Sequence, residues 1–178
     1  AVNDAKIFSE YCHKTLGLPK ENIQVYIDAT YGKILGALST LKQISQAYKG
    51  DINVIFYYAG HGVPNEKNNE AYLLPADATP SMLEACLPLS SLYSSIGSID
   101  AKQVIVFMDA CFSGSRRENG MIVSARGVAI KPKKDMVTGN VVVFSAADGS
   151  ETAYPYKEKG HGLFTYFLLT KLKEPRGN

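Results

Sequence analysis

The sequence of 178 residues has no tryptophan, only three cysteines and almost no excess of charge of either sign. Three cysteines are too few for the disulfide framework of a small secreted domain, and they fit a reducing compartment or a free thiol. Nineteen basic against seventeen acidic residues do not indicate nucleic-acid binding. No apolar run approaches the roughly 20 residues of a membrane-spanning helix. We therefore expect neither a nucleic acid nor a membrane as partner.

Motifs for metals and nucleotides are also missing. The sequence contains no CxxC, HExxH, GxGxxG or GxxxxGK[ST] pattern. Residues 148–151 carry oxygen ligands but lack the spacing of a calcium loop. From these patterns we expect no metal site and no cofactor required for the chemistry.

The sequence does contain amphipathic helices that alternate with apolar strands. Hydrophobic residues make up 46% and charged residues 20% of the chain, as in a globular domain. Apolar spacing predicts helices over 2–16, 31–48, 87–97 and 162–173, the first capped by Asn3 or Asp4 and followed by Gly17. Apolar or alternating runs predict strands over 22–28, 52–58, 103–108 and 141–145. This alternation predicts one α/β domain over 1–178, a sandwich with a mostly parallel sheet.

Two of the predicted strands are followed by reactive side chains. His61 follows the run 52–58, and Cys111 follows 103–108. Ligands of open α/β sheets bind beyond the carboxyl ends of the strands, so neighbouring parallel strands would bring these residues to one edge. An imidazole raises the thiolate fraction of a nearby thiol. The backbone N–H groups of Gly62 and Cys111 would then stabilise the oxyanion formed by attack on a peptide carbonyl.

Each of these residues alone has a plainer interpretation. A single cysteine after a buried strand is most often a core thiol, and a histidine in a glycine-rich turn is most often on the surface. The pair is more specific, because a catalytic Cys with its His about 50 residues upstream is a known peptidase arrangement. Cys12 and Cys86 lie in apolar surroundings of the sequence and are predicted to be structural, and His161 is predicted to serve a turn or a helix cap.

The motifs at 57–62 (YYAGHG) and 109–114 (DACFSG) resemble the paired His and Cys motifs of caspase-like cysteine peptidases. The nearest resemblance is to the metacaspase and bacterial caspase-like branch of peptidase family C14. It implies a caspase-hemoglobinase fold, a three-layer sandwich, and endopeptidase activity on a peptide or protein substrate. It also implies that Cys111 is the nucleophile, His61 the proton-transfer partner and Gly62 an oxyanion donor.

The resemblance also bears on substrate preference. Animal caspases have Gln two residues before the catalytic Cys, whereas this chain has Asp109. A carboxylate there favours an Arg or Lys side chain at P1 through charge-assisted hydrogen bonds. Asp148, with its neighbour Ala147, is predicted to line a second wall of the pocket. Asp109 as an inward structural acid and Asp148 as a turn residue are the alternatives.

The segment 112–140 stands apart because it is long, glycine-containing and basic. A loop of this length inside a compact domain is usually functional or disordered. One interpretation is a solvated surface loop. The other is a self-cleavage segment that the proposed pocket would accept, with candidate sites at Arg116, Arg117, Arg126, Lys133 and Lys134.

The sequence departs from the family pattern at its beginning. The family's first strand, which precedes the part matching residues 1–5, is missing, so we expect a separate N-terminal fragment to supply it or the sequence to be incomplete. Some relatives require Ca²⁺, which leaves Ca²⁺ open as an activator. Two other functions stay open: a non-catalytic caspase-fold scaffold or regulatory module, and a peptidase of the same fold with acidic or small P1 preference.

Overall fold

The computed structural model describes residues 1–65, 70–112, 139–146, 155–156 and 161–173. Its helices are α1 Val2–Lys14, α2 Tyr31–Ala47, α3 Leu89–Gly97 and α4 Leu163–Lys173. Its strands are β1 Asn53–Asn65, β2 Glu70–Leu73, β3 Leu87–Pro88, β4 Gln103–Cys111, β5 Val141–Ser145, β6 Pro155–Tyr156 and β7 His161–Gly162. None of the helices in these ranges has the length and apolar character to cross a bilayer.

Five strands form one sheet in the order β3-β2-β1-β4-β5. β4 is parallel to both β1 and β5, whereas β2 is antiparallel to β1 and to β3. The sheet is thus mixed, with its three longest strands parallel and its short strands antiparallel. The α/β sandwich expected from the sequence is confirmed.

The two faces of the sheet bury different side chains, because successive residues of a strand point to opposite sides. Val54 and Val106 face one core, which the helices α2 and α3 cover. Tyr57 and Phe107 face the other core, which α1 and α4 cover. The ring of Phe8 in α1 stacks on Tyr57 with the ring centroids 4.3 Å apart. Helices on both faces give the three layers of the predicted sandwich.

β1 is longer than the apolar run that predicted it. Asn53–His61 pair with β4, and Gly62–Asn65 then pair with β2. The small residues Ala59 and Gly60 have low strand propensity, but pairing on both sides of this point keeps the backbone extended. His61 and Gly62 therefore lie inside a strand, at the point where it changes partners, and not in a turn after it.

The predicted strand over 22–28 is wrong. A 3₁₀ turn at Lys20–Asn22 is followed by irregular backbone, and Val25 and Tyr26 are each 44% exposed. A strand needs a neighbour to pair its N–H and C=O groups, and no described strand lies beside this segment. Local alternation predicted the extended conformation but could not supply the partner.

Helix ends differ from the prediction by a few residues. α1 begins at Val2, so Asp4 lies in its first turn and is not its cap. Gly17 has a φ of +73°, the left-handed conformation expected where the chain leaves this helix. α3 begins at Leu89 and not at 87, because Leu87–Pro88 pair with β2.

Candidate active site

The ladder between β1 and β4 brings the two predicted reactive positions together. His61 is the register partner of Cys111, and Ala59 is the partner of Asp109. Neighbouring strands lie about 4.8 Å apart, and Asp109 is on the face covered by α4, where it contacts Thr165. The expectation that these strands are parallel neighbours, with both residues at one edge, is confirmed.

The backbone of His61 is held from two sides. Its carbonyl oxygen accepts a hydrogen bond from the Leu74 N–H (3.0 Å) and another from the Tyr58 hydroxyl (3.1 Å). A side chain at Gly60 would collide with Tyr58, because a Cβ there would lie 2.6 Å from the Tyr58 hydroxyl oxygen. Gly60 is therefore required for the contact that fixes this peptide, while the His61 side chain is exposed.

Asp109 is buried, with 3% of its surface exposed. Its Oδ2 accepts a hydrogen bond from the Thr165 hydroxyl of α4 at 2.6 Å. The Thr165 oxygen also lies 2.6 Å from the Tyr57 hydroxyl of β1. The other carboxylate oxygen, Oδ1, is buried and has no hydrogen-bond partner among the described residues. Such an acceptor costs about 1–3 kcal/mol when nothing satisfies it.

Asp4 is a second buried carboxylate beside Asp109, although its place in the sequence predicts only a helix cap. It is 2% exposed and pairs with the Ala1 amino group at 2.9 Å. The Gly162 N–H donates to Oδ1 and Oδ2 of Asp4 at 3.3 and 3.4 Å. One signal could have found it: Asp4 falls on the apolar stripe of α1, four residues before Phe8.

Gly162 is where the two carboxylates meet. A Cβ at this position would collide with Oδ2 of Asp109. Because the Gly162 N–H faces Asp4, the lack of a side chain lets both acids approach the same peptide. The sequence around the neighbouring His161 predicts a turn or a helix cap, whereas the structure has His161 and Gly162 in β7, paired with β6.

The tyrosine in this cluster stays protonated at neutral pH. Burial raises the pKa of Tyr57 most, and the negative charges of Asp109 and Asp4 raise it further, against the opposite effect of its Thr165 hydrogen bond. Tyr57 thus remains a neutral hydroxyl that can donate a hydrogen bond.

The other two cysteines are structural, as predicted. Cys12 and Cys86 are both buried. Burial raises the pKa of each thiol, so both stay protonated and are poor nucleophiles. Their position in the cores leaves Cys111 as the cysteine at the sheet edge.

Several predicted site residues lie outside the described part of the chain. These are the pocket candidates Ala147 and Asp148 and the cleavage candidates Arg116, Arg117, Arg126, Lys133 and Lys134. Their roles stay predictions. Within the described ranges, no three His, Cys, Asp or Glu side chains gather closely enough to hold a metal ion.

Helices on both faces of a mixed sheet, with His61 and Cys111 as register partners at its carboxyl edge, place the chain in the class of caspase-like α/β domains. The family model described as caspase domain matches residues 1–178. The chain belongs to this family, peptidase family C14, whose class is that of cysteine-type hydrolases. The resemblance seen in the two motifs is thereby confirmed.

Two named proteins are similar to this chain over most of its length. The chain is 28% identical to a protein named Paracaspase from Dictyostelium discoideum over 179 residues, which cover 99% of this chain and 40% of that protein. It is 26% identical to a protein named as a probable protease from a Desulfuromonadales bacterium, over 83% of this chain and 18% of that protein. The chain therefore spans less than half the length of these relatives.

The crowding at Gly162 gives a first prediction. We expect Gly162→Ala to lower the free energy of unfolding by about 1–3 kcal/mol, because the new methyl group must displace the Asp109 carboxylate or the main chain. Urea denaturation followed by circular dichroism measures the change.

Gly36 provides the matched control for this change. It lies in α2, where a Cβ would meet nothing within 4 Å. Gly36→Ala should leave stability unchanged or raise it by about 0.5–1 kcal/mol, because alanine favours a helix. Equal denaturation midpoints for the two variants would show that Gly162 is not confined in this way.

Proposed function

We propose that the chain is a cysteine endopeptidase in which Cys111 is the nucleophile and His61 transfers protons. One observation carries the proposal: His61 and Cys111 are register partners on parallel strands, at the carboxyl edge of the sheet. A nucleophile and its base must come within hydrogen-bond reach of a shared substrate, and neighbouring strands supply that proximity. Membership of a peptidase family supports the same chemistry.

The first half of the reaction forms a covalent intermediate. The Cys111 thiolate attacks the carbonyl carbon of the scissile peptide bond, and an S–C bond forms while the carbonyl oxygen becomes an oxyanion. The backbone N–H groups of Gly62 and Cys111 are the proposed donors to that oxygen, each typically worth about 3 kcal/mol. The C–N bond then breaks, and the His61 imidazolium gives its proton to the departing amine.

The second half regenerates the enzyme. Neutral His61 takes a proton from water, and the hydroxide attacks the thioester carbon. The S–C bond breaks, the carboxyl product leaves, and the Cys111 thiolate is again paired with the His61 imidazolium. This reaction needs no cofactor. Any effect of Ca²⁺ would be activation, which the assays below test.

The buried acids support a preference for Arg or Lys at P1. Asp109 precedes the proposed nucleophile by two residues in β4, and its Oδ1 is an unsatisfied acceptor within the described structure. A guanidinium or ammonium group would satisfy it through a charge-assisted hydrogen bond. Asp4 is a second buried carboxylate next to Gly162, but it is already paired with the Ala1 amino group. An acidic P1 side chain would instead meet like charge in a buried site.

A panel of fluorogenic peptides tests the pocket. We expect turnover with Arg or Lys at P1 and at least about 100-fold lower kcat/KM with Asp at P1, because burying another carboxylate beside Asp109 is unfavourable. Asp109→Asn should reduce kcat/KM on the basic peptides by about 100-fold. The assays are run with and without Ca²⁺.

Controls separate the remaining functions. Cys111→Ala should abolish turnover of every peptide, and a basic P1 chloromethyl ketone should label the thiol of Cys111 in the unsubstituted chain. Turnover of Asp or small P1 peptides alone would favour the same fold with another preference. A chain that is neither active nor labelled would be a scaffold or regulatory module.

The basic segment is proposed as a substrate for the same site. The cleavage candidates follow β4 directly in the chain, and their side chains have the charge that the pocket requires. After prolonged incubation, we expect intact-mass spectrometry to find fragments ending at one or more of the five candidates, and none for Cys111→Ala. Replacing all five with Gln should stop the cleavage. Identical intact masses for the active and Cys111→Ala chains would contradict self-processing.

We further propose that a separate extended fragment completes the sheet along the free edge of β1. Asn53–His61 pair with β4 on one side only, and the described residues provide no ladder on the other. The consequence appears in burial: β4 is buried from Val106 to Ala110, whereas β1 is only half-buried from Ile55 to Gly60.

Fusing an ideal strand to the chain tests this proposal. Seven valine and isoleucine residues, joined ahead of Ala1 by a short Gly-Ser linker, should raise the free energy of unfolding by about 2–4 kcal/mol over a control fusion, through new backbone hydrogen bonds. Both fusions lose the Ala1 amino group that pairs with Asp4, so this loss cancels in the comparison. The control carries prolines at two of the seven positions, since proline removes the ladder donor. Equal unfolding free energies for the two fusions would show that the edge takes no strand.

A further inference from the structure

Two threonines of α4 use their hydroxyl groups differently. The exposed Thr170 donates to the carbonyl of Tyr166, one turn earlier, at 2.8 Å, which is the local bond common for threonine inside a helix. Thr165 is fully buried and donates instead to Oδ2 of Asp109, 56 residues away in the sequence. The helix does not need this long-range bond, whereas the Asp109 carboxylate does.

The hydrogen bonds of this cluster run in one direction. The single hydroxyl proton of Thr165 goes to the Asp109 carboxylate, which only accepts. The Tyr57 hydroxyl, 2.6 Å from the same Thr165 oxygen, must then be the donor in that pair. Tyr57 therefore donates to Thr165, and Thr165 donates to Asp109. Successive hydrogen bonds of this kind strengthen one another in a dry interior.

Only one of the two carboxylate oxygens is used by this chain of bonds. Thr165 fixes Oδ2, which sets the plane of the carboxylate and leaves Oδ1 without a partner within the described ranges. A carboxylate kept only for structure would normally have both oxygens satisfied, because buried polar atoms rarely lack hydrogen bonds. The arrangement fixes one oxygen and leaves the other, Oδ1, as a buried acceptor without a donor in the described ranges.

We propose that Thr165 and Tyr57 are positioning residues for substrate recognition: they hold the Asp109 carboxylate so that Oδ1 accepts a hydrogen bond from a basic P1 side chain. This inference rests on the proposed function, in which Asp109 binds P1. It assigns to α4, at the far end of the chain, a part in a pocket whose acid lies on β4.

Four substitutions test the proposal. Thr165→Val keeps the shape and removes the hydroxyl, Thr165→Ser keeps the hydroxyl, and Tyr57→Phe keeps the ring stack on Phe8. Thr170→Val is the matched control, because it removes an exposed hydroxyl from the same helix. Each is assayed with Arg and Lys P1 peptides, and each is also combined with Cys111→Ala to measure agmatine binding by calorimetry, which needs no catalysis.

We expect Thr165→Val to weaken agmatine binding and raise KM by about tenfold or more, with a smaller change in kcat. Tyr57→Phe should change both in the same direction but less. Thr165→Ser should stay within about threefold of the unsubstituted chain, and Thr170→Val should match it.

Three results would overturn the inference. Thr165→Val that binds agmatine and cleaves basic peptides normally would show that the hydroxyl is not needed. If Thr165→Val does not fold, Tyr57→Phe with unchanged affinity and KM would lead to the same conclusion. A Thr165→Ser variant that loses affinity as Thr165→Val does would indicate packing and not hydrogen bonding.

Failure of the proposed function gives a different pattern. If the unsubstituted chain and Thr170→Val bind agmatine but cleave nothing, the proposed peptidase reaction is wrong, whereas the proposed binding of a basic side chain is supported. The binding data then still decide the role of Thr165. If neither binds agmatine nor cleaves a basic peptide, the P1 preference is wrong, and the positioning role is refuted with it.

Discussion

The parallel ladder between β1 and β4 is the interaction on which the rest of this structure depends. It sets His61 opposite Cys111 and, on the same strands, sorts the apolar side chains between two cores. Because side chains alternate, a slip of one residue in either strand would move its side chains to the other face. The cores oppose such a slip, since Val106 and Phe107 each fill a different core. Packing along the strands thus fixes the register of the reactive positions at their end.

The polar cluster around Asp109 joins parts of the chain that are far apart in sequence. Asp4 comes from α1, Tyr57 from β1, and Gly162 and Thr165 from the chain just before and within α4. The basic segment lies in the chain after β4 and before Gly162 and Thr165. The hydrogen bonds of the cluster therefore connect the part of the chain before this segment with the part after it, independently of the segment's own backbone. A domain cut within that segment would retain the hydrogen bonds that shape its pocket. Self-processing and an intact pocket are therefore physically compatible.

Local sequence patterns predicted the elements that depend on local physics. The apolar spacing of α2 and the apolar runs of β4 and β5 predicted their positions within a few residues, because periodic burial is written into the sequence. The strand over 22–28 failed because alternation cannot provide a neighbouring strand. β1 ran past its apolar stretch because two partners extend it.

The same distinction explains what could be predicted of the site. Cys111 and His61 follow apolar strands, and their motifs are specific, so sequence alone brought them together. Thr165 gave no signal, since a threonine in an amphipathic helix is unremarkable until its partner is known. Asp4 gave a weak signal as an acid in the apolar stripe of α1, but its meaning depends on Gly162, more than 150 residues later. Residues that act through contacts between distant parts of the chain can be recognised only once the three-dimensional structure is known.

Stability and recognition draw on the same carboxylate. A buried oxygen without a hydrogen bond costs about 1–3 kcal/mol, a large share of the 5–15 kcal/mol that typically separates folded from unfolded domains. Oδ1 of Asp109 is such an atom within the described structure, and the packing of the two cores offsets the cost. A cation that reaches Oδ1 removes the penalty at the moment of binding. If Asp109 binds P1 as proposed, relief of this cost would contribute to the affinity for a basic side chain.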